Sequence, residues 1–232
     1  NSPGYVQHVT QRGARWVELV PNGVDPEMFP AVAGPNPFRQ ANHLDGRFVL
    51  LYAGAHGLSN DLEIVLQSAD LLRDQPHILF ALVGDGKEKA ALQAYAREHQ
   101  LSNVAFFPPV PKTEMASVLA AADACLAILK PIELYKTTYP NKVFDYLAAG
   151  KPVVLAIDGE IRKVVDQAGA GIFAQPGDPQ ALAQAVRTLA ADPQAAQRMG
   201  AAGRAYVAAH FNRAALSDQL ALLLEEMRRV HA

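Results

Sequence analysis

The sequence has little of several features that mark common classes of protein. Cys125 is the single cysteine and lies in an apolar run, so no intrachain disulfide can form and we expect a buried, inert thiol. The formal net charge is −2 without a basic cluster, which argues against a partner that is a nucleic acid. The longest apolar runs, such as residues 48–55, are far shorter than the roughly 20 residues that span a bilayer. We therefore expect a globular, cytoplasmic protein.

Signatures of metal binding and of covalent catalysis are also missing. The seven histidines are scattered, and no His-Glu-x-x-His pattern or Cys-His pair occurs, so we expect no metal site. A Gly-x-Ser-x-Gly nucleophile motif is absent. Gly84-x-Gly86 lacks the third glycine of a dinucleotide-binding fingerprint, which argues against a nicotinamide cofactor.

What the sequence does contain is an alternation of strand-like and helical segments. Half of the residues are apolar, which is enough for a substantial core. This order predicts an α/β domain with a Rossmann-like, doubly wound parallel sheet flanked by helices. In such a sheet the ligand lies beyond the carboxyl ends of the strands, near the point where strand order reverses. Four segments that follow strands are predicted to line one cleft: residues 54–57, 84–86, 108–110 and 137–142.

Several helix boundaries are also predicted. Asn60 with Glu63 forms a capping-box pattern, Asp178-Pro179 opens a helix, and Asn212 caps the last one. Residues 31–46 are expected to form an irregular connection. An apolar stripe on the last helix is expected to pack on the domain, with a short coiled-coil seam as the rival interpretation. The stripe consists of Leu216, Leu220, Leu223, Leu224 and Met227.

The most informative segment is residues 139–154. Pro140 is expected at the first helical position and Gly150 just past the helix end. One face is apolar through Val143, Phe144, Leu147 and Ala148, whereas Lys142, Asp145, Tyr146 and Ala149 are assigned to the other face.

This helix offers a site for a phosphate and a sugar. Its first turn presents free N–H groups and the positive end of the helix dipole, and Lys142 would add a full charge. Asp145, one turn later, could accept hydrogen bonds from sugar hydroxyls. The alternative is that Lys142 and Asp145 form a solvated ion pair worth a few tenths of a kcal/mol.

Two further loops carry polar candidates. His56 lies between glycines at a strand end, where it could hydrogen-bond a phosphate or simply be a surface residue. Asp85 is interpreted as turn chemistry, with Gly84 and Gly86 allowing the backbone to approach a ligand closely.

Seven short motifs, in the order found in one family, cover nearly the whole chain from Val17 to about Arg213. The motifs are Pro21-Asn-Gly-Val-Asp25, Val83-Gly-Asp-Gly86, Asn103-Val-Ala-Phe106, Ala122-Asp-Ala124, Gly150-Lys-Pro-Val-Val154, Ala170-Gly171 and Pro176-Gly-Asp178. Through these motifs the chain resembles the C-terminal, donor-binding domain of the retaining GT-B-fold glycosyltransferases of the group 1 type, family four. Residues 56–58 and 140–144 further resemble its bacterial surface-polysaccharide branch, which uses N-acetylated sugar nucleotides.

The chain departs from this family at charged positions. The family carries two Glu residues separated by seven others, and here those places hold Thr137 and Asp145. Ala55 stands where many members have a diphosphate-binding Arg, and Asn60 or Asp61 where they have a Lys. The resemblance implies that Asp145 holds the ribose and that phosphate binding relies on other groups.

The resemblance, together with the helix pattern, assigns the remaining roles. Catalytic candidates are Lys142, which would stabilise the leaving diphosphate, and Thr137, near the donor sugar. Main-chain groups at Pro109 and Val110 would read the base, and the backbone of residues 137–139 would contact the sugar. The predicted donor-binding set is Gly54, His56, Gly57, Gly84, Pro109, Val110, Tyr139, Pro140, Asn141, Lys142 and Asp145.

The resemblance also implies a domain division and a function. Residues 1–20 would end the N-terminal domain or form a connector, 21–213 the nucleotide-sugar-binding domain, and 214–232 the C-terminal helix. The start at Asn1 leads us to expect a fragment that is inactive alone. We expect no cofactor besides a nucleotide-sugar donor, UDP-linked, that supplies a hexosyl or N-acetylhexosaminyl group for retaining transfer.

The other partner would be a glycan or lipid-linked acceptor, bound by the missing N-terminal domain. The full-length protein would then contact the inner face of the membrane peripherally. Two alternatives stay open: a GT-B-fold sugar-nucleotide epimerase and a non-catalytic nucleotide-sugar-binding module.

Overall fold

The computed structural model of the chain describes residues 2–30 and 34–230, and it contains a parallel sheet built from the predicted apolar segments. Each of the two longest strands has six consecutive buried residues, as expected for strands covered on both faces. The strands are β1 (Phe48–Ala53), β2 (Ile78–Val83), β3 (Val104–Phe107), β4 (Ala124–Ile128), β5 (Val153–Ala156) and β6 (Gly171–Phe173).

The strand order identifies where the chain changes direction across the sheet. The order is β3-β2-β1-β4-β5-β6, and the neighbouring strands pair in parallel. The chain therefore winds outward from β1 on one side and from β4 on the other. This confirms the doubly wound parallel sheet and places the reversal of strand order between β1 and β4.

Helices cover both faces of this sheet. Taken in chain order from α1 to α10, they are Gly4–Thr10, Pro37–Ala41, Leu62–Asp70, Lys89–Glu98, Met115–Ala120, Asn141–Ala148, Glu160–Ala168, Pro179–Ala191, Pro193–His210 and Arg213–Val230. One buried cluster includes side chains from α5, α6, α7 and α9, and the second includes side chains from α3, α4 and α8.

Cys125 lies in the first of these clusters. Burial raises the pKa of its thiol to about 12, which confirms the inert thiol.

Helix α6 follows β4 and deviates from its prediction at the start and on one face. Pro140 is the extended N-cap residue, so the helix begins at Asn141 and the expected first helical position for Pro140 is wrong. Tyr146, predicted on the outer face, is buried instead, and its hydroxyl is satisfied there by hydrogen bonds to Ala53, the last residue of β1. The end agrees with prediction: Gly150 has a φ of 69°, and its N–H donates to the Leu147 carbonyl at 2.9 Å.

The other helix starts are a mixture of correct and incorrect predictions. The Asp178 and Asn212 side chains accept hydrogen bonds from the first turns of α8 and α10, as predicted. The capping box at Asn60 is wrong because Asn60 ends a 3₁₀ turn, and Asp61, with a φ of 48°, precedes the helix without a side-chain cap. A short helix, α2, lies within the predicted irregular connection, of which residues 31–33 are outside the described residues.

The last helix, α10, meets only in part the prediction that its apolar stripe packs on the domain. Leu216 and Leu223 are half-buried, and a Cβ atom at Gly23 would lie 2.8 Å from Leu216 Cδ1. Leu220 and Leu224, by contrast, are 45% and 58% exposed. At the helix start the Arg213 N–H donates to the Val24 carbonyl at 3.0 Å. No described helix is both long and apolar enough to cross a membrane.

Candidate functional site

The loops that follow β1 and β2 pack against each other at the carboxyl edge of the sheet. We call residues 54–57 the first loop and residues 84–86 the second loop. The Gly54 N–H donates to the Val83 carbonyl at 3.0 Å. A Cβ atom at Gly84 would overlap the Gly54 carbonyl oxygen, and one at Gly86 would overlap the His56 carbonyl. These glycines are therefore required by loop packing, and their predicted role in letting the backbone approach a ligand stays a prediction.

Lys142 of α6 points its ammonium group at the first loop. Its Nζ donates to the Tyr52 hydroxyl at 3.0 Å and lies 4.1 Å from the centroid of that ring. Within the described residues no ion pair joins Lys142 to Asp145, so the solvated ion pair is wrong. Burial lowers the pKa of Lys142 to about 8, because the charged form is less well solvated there. A half-buried cation thus lies at the reversal of strand order.

Gly54 and Lys142, predicted for the same cleft, are in contact. A Cβ atom at Gly54 would lie 2.8 Å from Lys142 Nζ, so a larger residue would displace the ammonium group. The Tyr52 hydroxyl, which accepts from Lys142, donates to the Ala55 carbonyl at 2.7 Å. The first loop and α6 are therefore joined through one buried tyrosine.

His56 occupies a different position from the one predicted. Its side chain is 0% exposed, and its ring centroid lies 6.0 Å from that of Tyr52 and 6.2 Å from that of Phe106. Neither ring nitrogen has a hydrogen-bond partner among the described residues. Burial, together with the nearby Lys89 and Lys142 charges, lowers the pKa of His56 to about 4, and the Asp85 charge opposes this shift. The imidazole is therefore neutral at physiological pH and has unused hydrogen-bonding capacity.

The Asp85 side chain confirms the predicted turn chemistry. Its Oδ1 accepts a hydrogen bond from the Gly86 N–H at 2.8 Å, which closes the second loop locally.

Asp145 lies in a cavity of about 550 Å³. Its carboxylate has no hydrogen bond or ion pair within the described part of the chain. Burial raises the pKa of Asp145, and the positive charges of Lys112 and Arg213 oppose that rise. The cavity is lined by residues 20–25, Met28, Phe29, Lys112, Thr113, Met115, Ala116, Asn141, Asp145, Arg213, Leu216, Ser217 and Leu220.

Several members of this cavity were not predicted from the sequence. Asn22 donates to the Asn141 side chain at 2.7 Å, and Arg213 pairs with Asp25 at 3.5 Å. Asn22 and Asp25 belong to the Pro-Asn-Gly-Val-Asp motif, to which no binding role was assigned. That motif was the available signal, whereas the distance in sequence between Arg213 and Asp145 gave none.

Thr137 is held in place by other segments of the chain. It ends the 3₁₀ helix Glu133–Thr137, and its hydroxyl donates to the Leu134 carbonyl at 2.7 Å. The Ser2 hydroxyl donates to the Thr137 carbonyl, and a Cβ atom at Gly4 would overlap Thr137. The Thr137 carbonyl is therefore already occupied.

The remaining predicted residues divide between the core and the surface. The Tyr139 ring packs against Phe144 and Phe211, with centroids 5.6 and 6.1 Å away, so its side chain is directed at the core. Pro109 is exposed, and Val110 is half-buried against the core. Gly57 lines a separate cavity of about 220 Å³.

The structure thus brings the predicted residues together in two groups. Gly54, His56, Gly84 and Lys142 meet at the ends of β1 and β2, while Asn141 and Asp145 face the larger cavity. Both groups are connected through α6. In the described residues no three His, Cys, Asp or Glu side chains form a cluster suited to a metal ion.

Comparison with solved structures defines the class of fold. Sucrose-phosphate synthase from Thermosynechococcus elongatus superposes with a TM-score of 0.83 at 23% identity, over 99% of this chain and 58% of that one. Anabaena HepE in complex with UDP gives a TM-score of 0.86 at 21% identity, over 97% of this chain and 62% of that one. The chain has the Rossmann-like fold of a GT-B glycosyltransferase domain.

Comparison of sequences defines the family. Residues 47–192 match the model of the glycosyl transferases group 1 family, and the chain belongs to that family. It is 28% identical over 162 residues to the probable glycosyltransferase WbjE of Pseudomonas aeruginosa, which is 69% of this chain and 40% of that protein. It is 28% identical over 210 residues to the 2-deoxystreptamine glucosyltransferase of Streptomyces kanamyceticus, which is 85% of this chain and 51% of that protein. The chain spans about half the length of the curated relatives it matches.

Proposed function

We propose that the chain binds the nucleotide-sugar donor of a retaining glycosyltransferase and stabilises the diphosphate that leaves. The observation that carries this proposal is the position of Lys142, a half-buried lysine without a described carboxylate partner, at the reversal of strand order. His56, with two unused ring nitrogens, belongs to the first loop and lies near enough for the Lys142 charge to lower its pKa.

The diphosphate would lie between α6 and the first loop. The first N–H groups of α6 have no intrahelical acceptor, and they lie at the positive end of the helix dipole. Lys142 adds a full charge to these partial charges. When the bond between the sugar and the diphosphate breaks, the electron pair stays on the phosphate oxygen, and these groups stabilise the developing negative charge.

The nucleoside would extend into the larger cavity. The unpaired Asp145 carboxylate is available to accept hydrogen bonds from the ribose hydroxyls, and Lys112 and Arg213 keep its surroundings positive. The main chain at Pro109 and Val110 would contact the base. The backbone around Tyr139 would contact the sugar, while Thr137 can contribute hydrogen bonds but no charge.

The donor is proposed to be UDP-linked, with a hexosyl or N-acetylhexosaminyl group. HepE, whose fold this chain shares, has been solved with UDP and with UDP-glucose, which supports the choice of nucleotide. Transfer to a glycan or lipid-linked acceptor in the cytoplasm, at the membrane surface, would require residues beyond this chain. We therefore expect the isolated chain to bind donor without transferring the sugar.

Calorimetric titration with UDP, GDP and ADP tests the proposal. We expect UDP to bind, Lys142→Ala to weaken binding about 10- to 100-fold, and Asp145→Ala to weaken it about 5- to 10-fold, since each removes a hydrogen bond to or from a charged group. Lys151→Ala is the matched control, because Lys151 bonds two carbonyls at the opposite edge of the sheet. Binding that ignores Lys142 and Asp145 would refute the site.

A non-catalytic binding module is the second candidate. The observation that favours it is the replacement of charged family positions by Ala55, Asn60 and Thr137. A full-length protein that binds the donor but never transfers its sugar to any acceptor would support that candidate. An epimerase would release an altered free donor without acceptor, but the family match does not favour it.

A further inference from the structure

We propose that Tyr52 is a positioning residue, which holds the Lys142 ammonium group and the first loop in the arrangement that receives the diphosphate. This inference rests on the proposed function, because it assigns a second residue to the same phosphate site. Tyr52 lies at the penultimate position of β1 and is 0% exposed. Buried in an apolar strand, it has the sequence signature of a core residue.

The direction of the hydrogen bonds gives Tyr52 its role. The hydroxyl proton is donated to the Ala55 carbonyl at 2.7 Å, so the oxygen lone pairs are left to accept from Lys142 Nζ at 3.0 Å. One hydroxyl therefore fixes both the carbonyl of the first loop and the ammonium group of α6. Without it, Lys142 would lose its hydrogen-bond acceptor and the Ala55 carbonyl would lose its donor.

The ring makes a second, separable contact with the same lysine. Lys142 Nζ lies 4.1 Å from the ring centroid, which is a cation–π distance. Phenylalanine at this position retains the ring and removes the hydroxyl alone. The substitution Tyr52→Phe therefore isolates the hydrogen-bonded chain from the packing of the core.

The surroundings explain why such a residue is needed. A lysine side chain is long and flexible, and no described carboxylate pairs with Lys142 to restrict it. The Gly54 backbone lies so close that a Cβ atom there would be 2.8 Å from Nζ. The ammonium group is thus confined between Tyr52 and the first loop, and a diphosphate that enters there meets a cation already oriented.

Tyr146 provides a matched control at the same end of β1. It is also buried, and its hydroxyl accepts from the Ala53 N–H at 3.0 Å and donates to the Ala53 carbonyl at 3.1 Å. Tyr146→Phe therefore removes a buried hydroxyl with two hydrogen bonds to protein groups, as Tyr52→Phe does. In the described part of the chain both hydrogen bonds of this hydroxyl go to Ala53 and none to Lys142, so the control should lose stability without disturbing the phosphate site.

The experiment is titration of wild type, Tyr52→Phe and Tyr146→Phe with UDP and, separately, with uridine. Since uridine lacks the diphosphate, the difference between the two ligands reports on the phosphate site. We expect Tyr52→Phe to weaken UDP binding about 5- to 20-fold and uridine binding less than twofold, whereas Tyr146→Phe changes neither. Equal losses in both variants, or an equal loss for uridine and UDP, would show a structural role and overturn the inference.

A second measurement on the wild type does not depend on whether a variant folds. The Tyr52 ring carbons, followed by NMR with labelled tyrosine, should shift as Lys142 loses its proton, and they should shift again when UDP is added. Tyr52 resonances that ignore both events would contradict the inference.

The effects of Lys142→Ala and Tyr52→Phe on UDP affinity distinguish failure of the proposed function from failure of the inference about Tyr52. If Lys142→Ala leaves UDP affinity unchanged, the proposed phosphate site is wrong, and the positioning role falls with it. If Lys142→Ala weakens UDP binding while Tyr52→Phe does not, the proposed function stands and the inference about Tyr52 is overturned.

Discussion

The two edges of the parallel sheet use similar charged residues in opposite ways. At the amino edge, Lys151 Nζ donates to the Ala120 carbonyl at 2.9 Å and to the Ala122 carbonyl at 2.7 Å. At the carboxyl edge, Lys142 donates to one tyrosine hydroxyl. Burial lowers the pKa of both lysines. The lysine at the amino edge has thus replaced its lost hydration with protein carbonyls, and the lysine at the carboxyl edge largely has not.

The two aspartates show the same contrast. Asp123, at the start of β4, accepts from the Val49 N–H at 2.7 Å and pairs with Arg39 at 3.2 Å. Asp145, one turn into α6, has no such partner in the described residues. Arg47 and Asn103 are exceptions at the amino edge, because Arg47 Nε and Asn103 Oδ1 are buried without a hydrogen bond.

The proposed function gives this difference a physical meaning. A buried polar group that lacks a partner destabilises the fold by about 1–3 kcal/mol. Such groups persist where a ligand can later satisfy them, so they accumulate at functional sites. Under the proposed function, a bound diphosphate and ribose would supply the partners that Lys142 and Asp145 lack in the chain alone.

The largest change in the free energy of unfolding is expected when Lys151 and Lys142 are each replaced by methionine. Lys151→Met should reduce the free energy of unfolding by about 2–4 kcal/mol, because two buried carbonyls lose their donor. Lys142→Met should instead raise it by about 1–3 kcal/mol at pH 7, because an incompletely solvated buried charge is removed. Urea unfolding of the two variants measures both values. Loss of stability in both variants would remove the contrast between the edges.

The pH dependence of the wild type sharpens the same test. The folded-state pKa of Lys142 is lowered from 10.5 to about 8, so between these values the unfolded chain binds more protons. The contribution of Lys142 to stability therefore rises with pH across this window and is lost as pH falls toward 8. Lys142→Met should abolish that rise.

The second test concerns the two aspartates. Asp123→Asn should reduce the free energy of unfolding by about 1–3 kcal/mol, because it breaks a partly buried ion pair with Arg39. Asp145→Asn should change it by less than about 0.5 kcal/mol, since no described partner is lost. Thermal unfolding of both variants provides the measurement, and a larger loss at Asp145 would reverse the assignment of the two carboxylates.

The smallest effect is expected at His56. Its folded-state pKa is lowered from 6.5 to about 4, so the unfolded chain binds more protons between these values, and the stability contribution falls as pH drops through this window. His56→Phe should flatten the curve over that range, whereas a variant with an unchanged slope would show that the imidazole is not buried neutral.

The sequence was sufficient to predict the fold and the edge of the sheet that holds the candidate site. Alternating apolar and helical periods determine a parallel sheet, and strand ends determine where its loops meet. Gly54 and Lys142 could therefore be assigned to one cleft although they lie far apart in the chain. The contact between them agrees with that assignment.

Other features depended on packing that local patterns do not encode. Tyr52 lies near the end of β1 and Tyr146 lies in α6. The contacts of Tyr52 with Lys142 and of Tyr146 with Ala53 form only because the folded chain brings α6 to the end of β1. The His56 N–H donates to the Asp85 carbonyl at 2.8 Å, so the position of His56 depends on the packing of the first loop against the second. The cavity around Asp145 includes Arg213 of α10, which no short-range pattern connects to α6.

A crystal structure of this chain with UDP would show directly whether Lys142 and Asp145 hold the nucleotide. We expect a phosphate oxygen within hydrogen-bond distance of Lys142 Nζ, near the first N–H groups of α6, and a ribose hydroxyl on the Asp145 carboxylate. A nucleotide bound at the amino edge beside Lys151, or one at the carboxyl edge that leaves Lys142 and Asp145 without contacts, would contradict it.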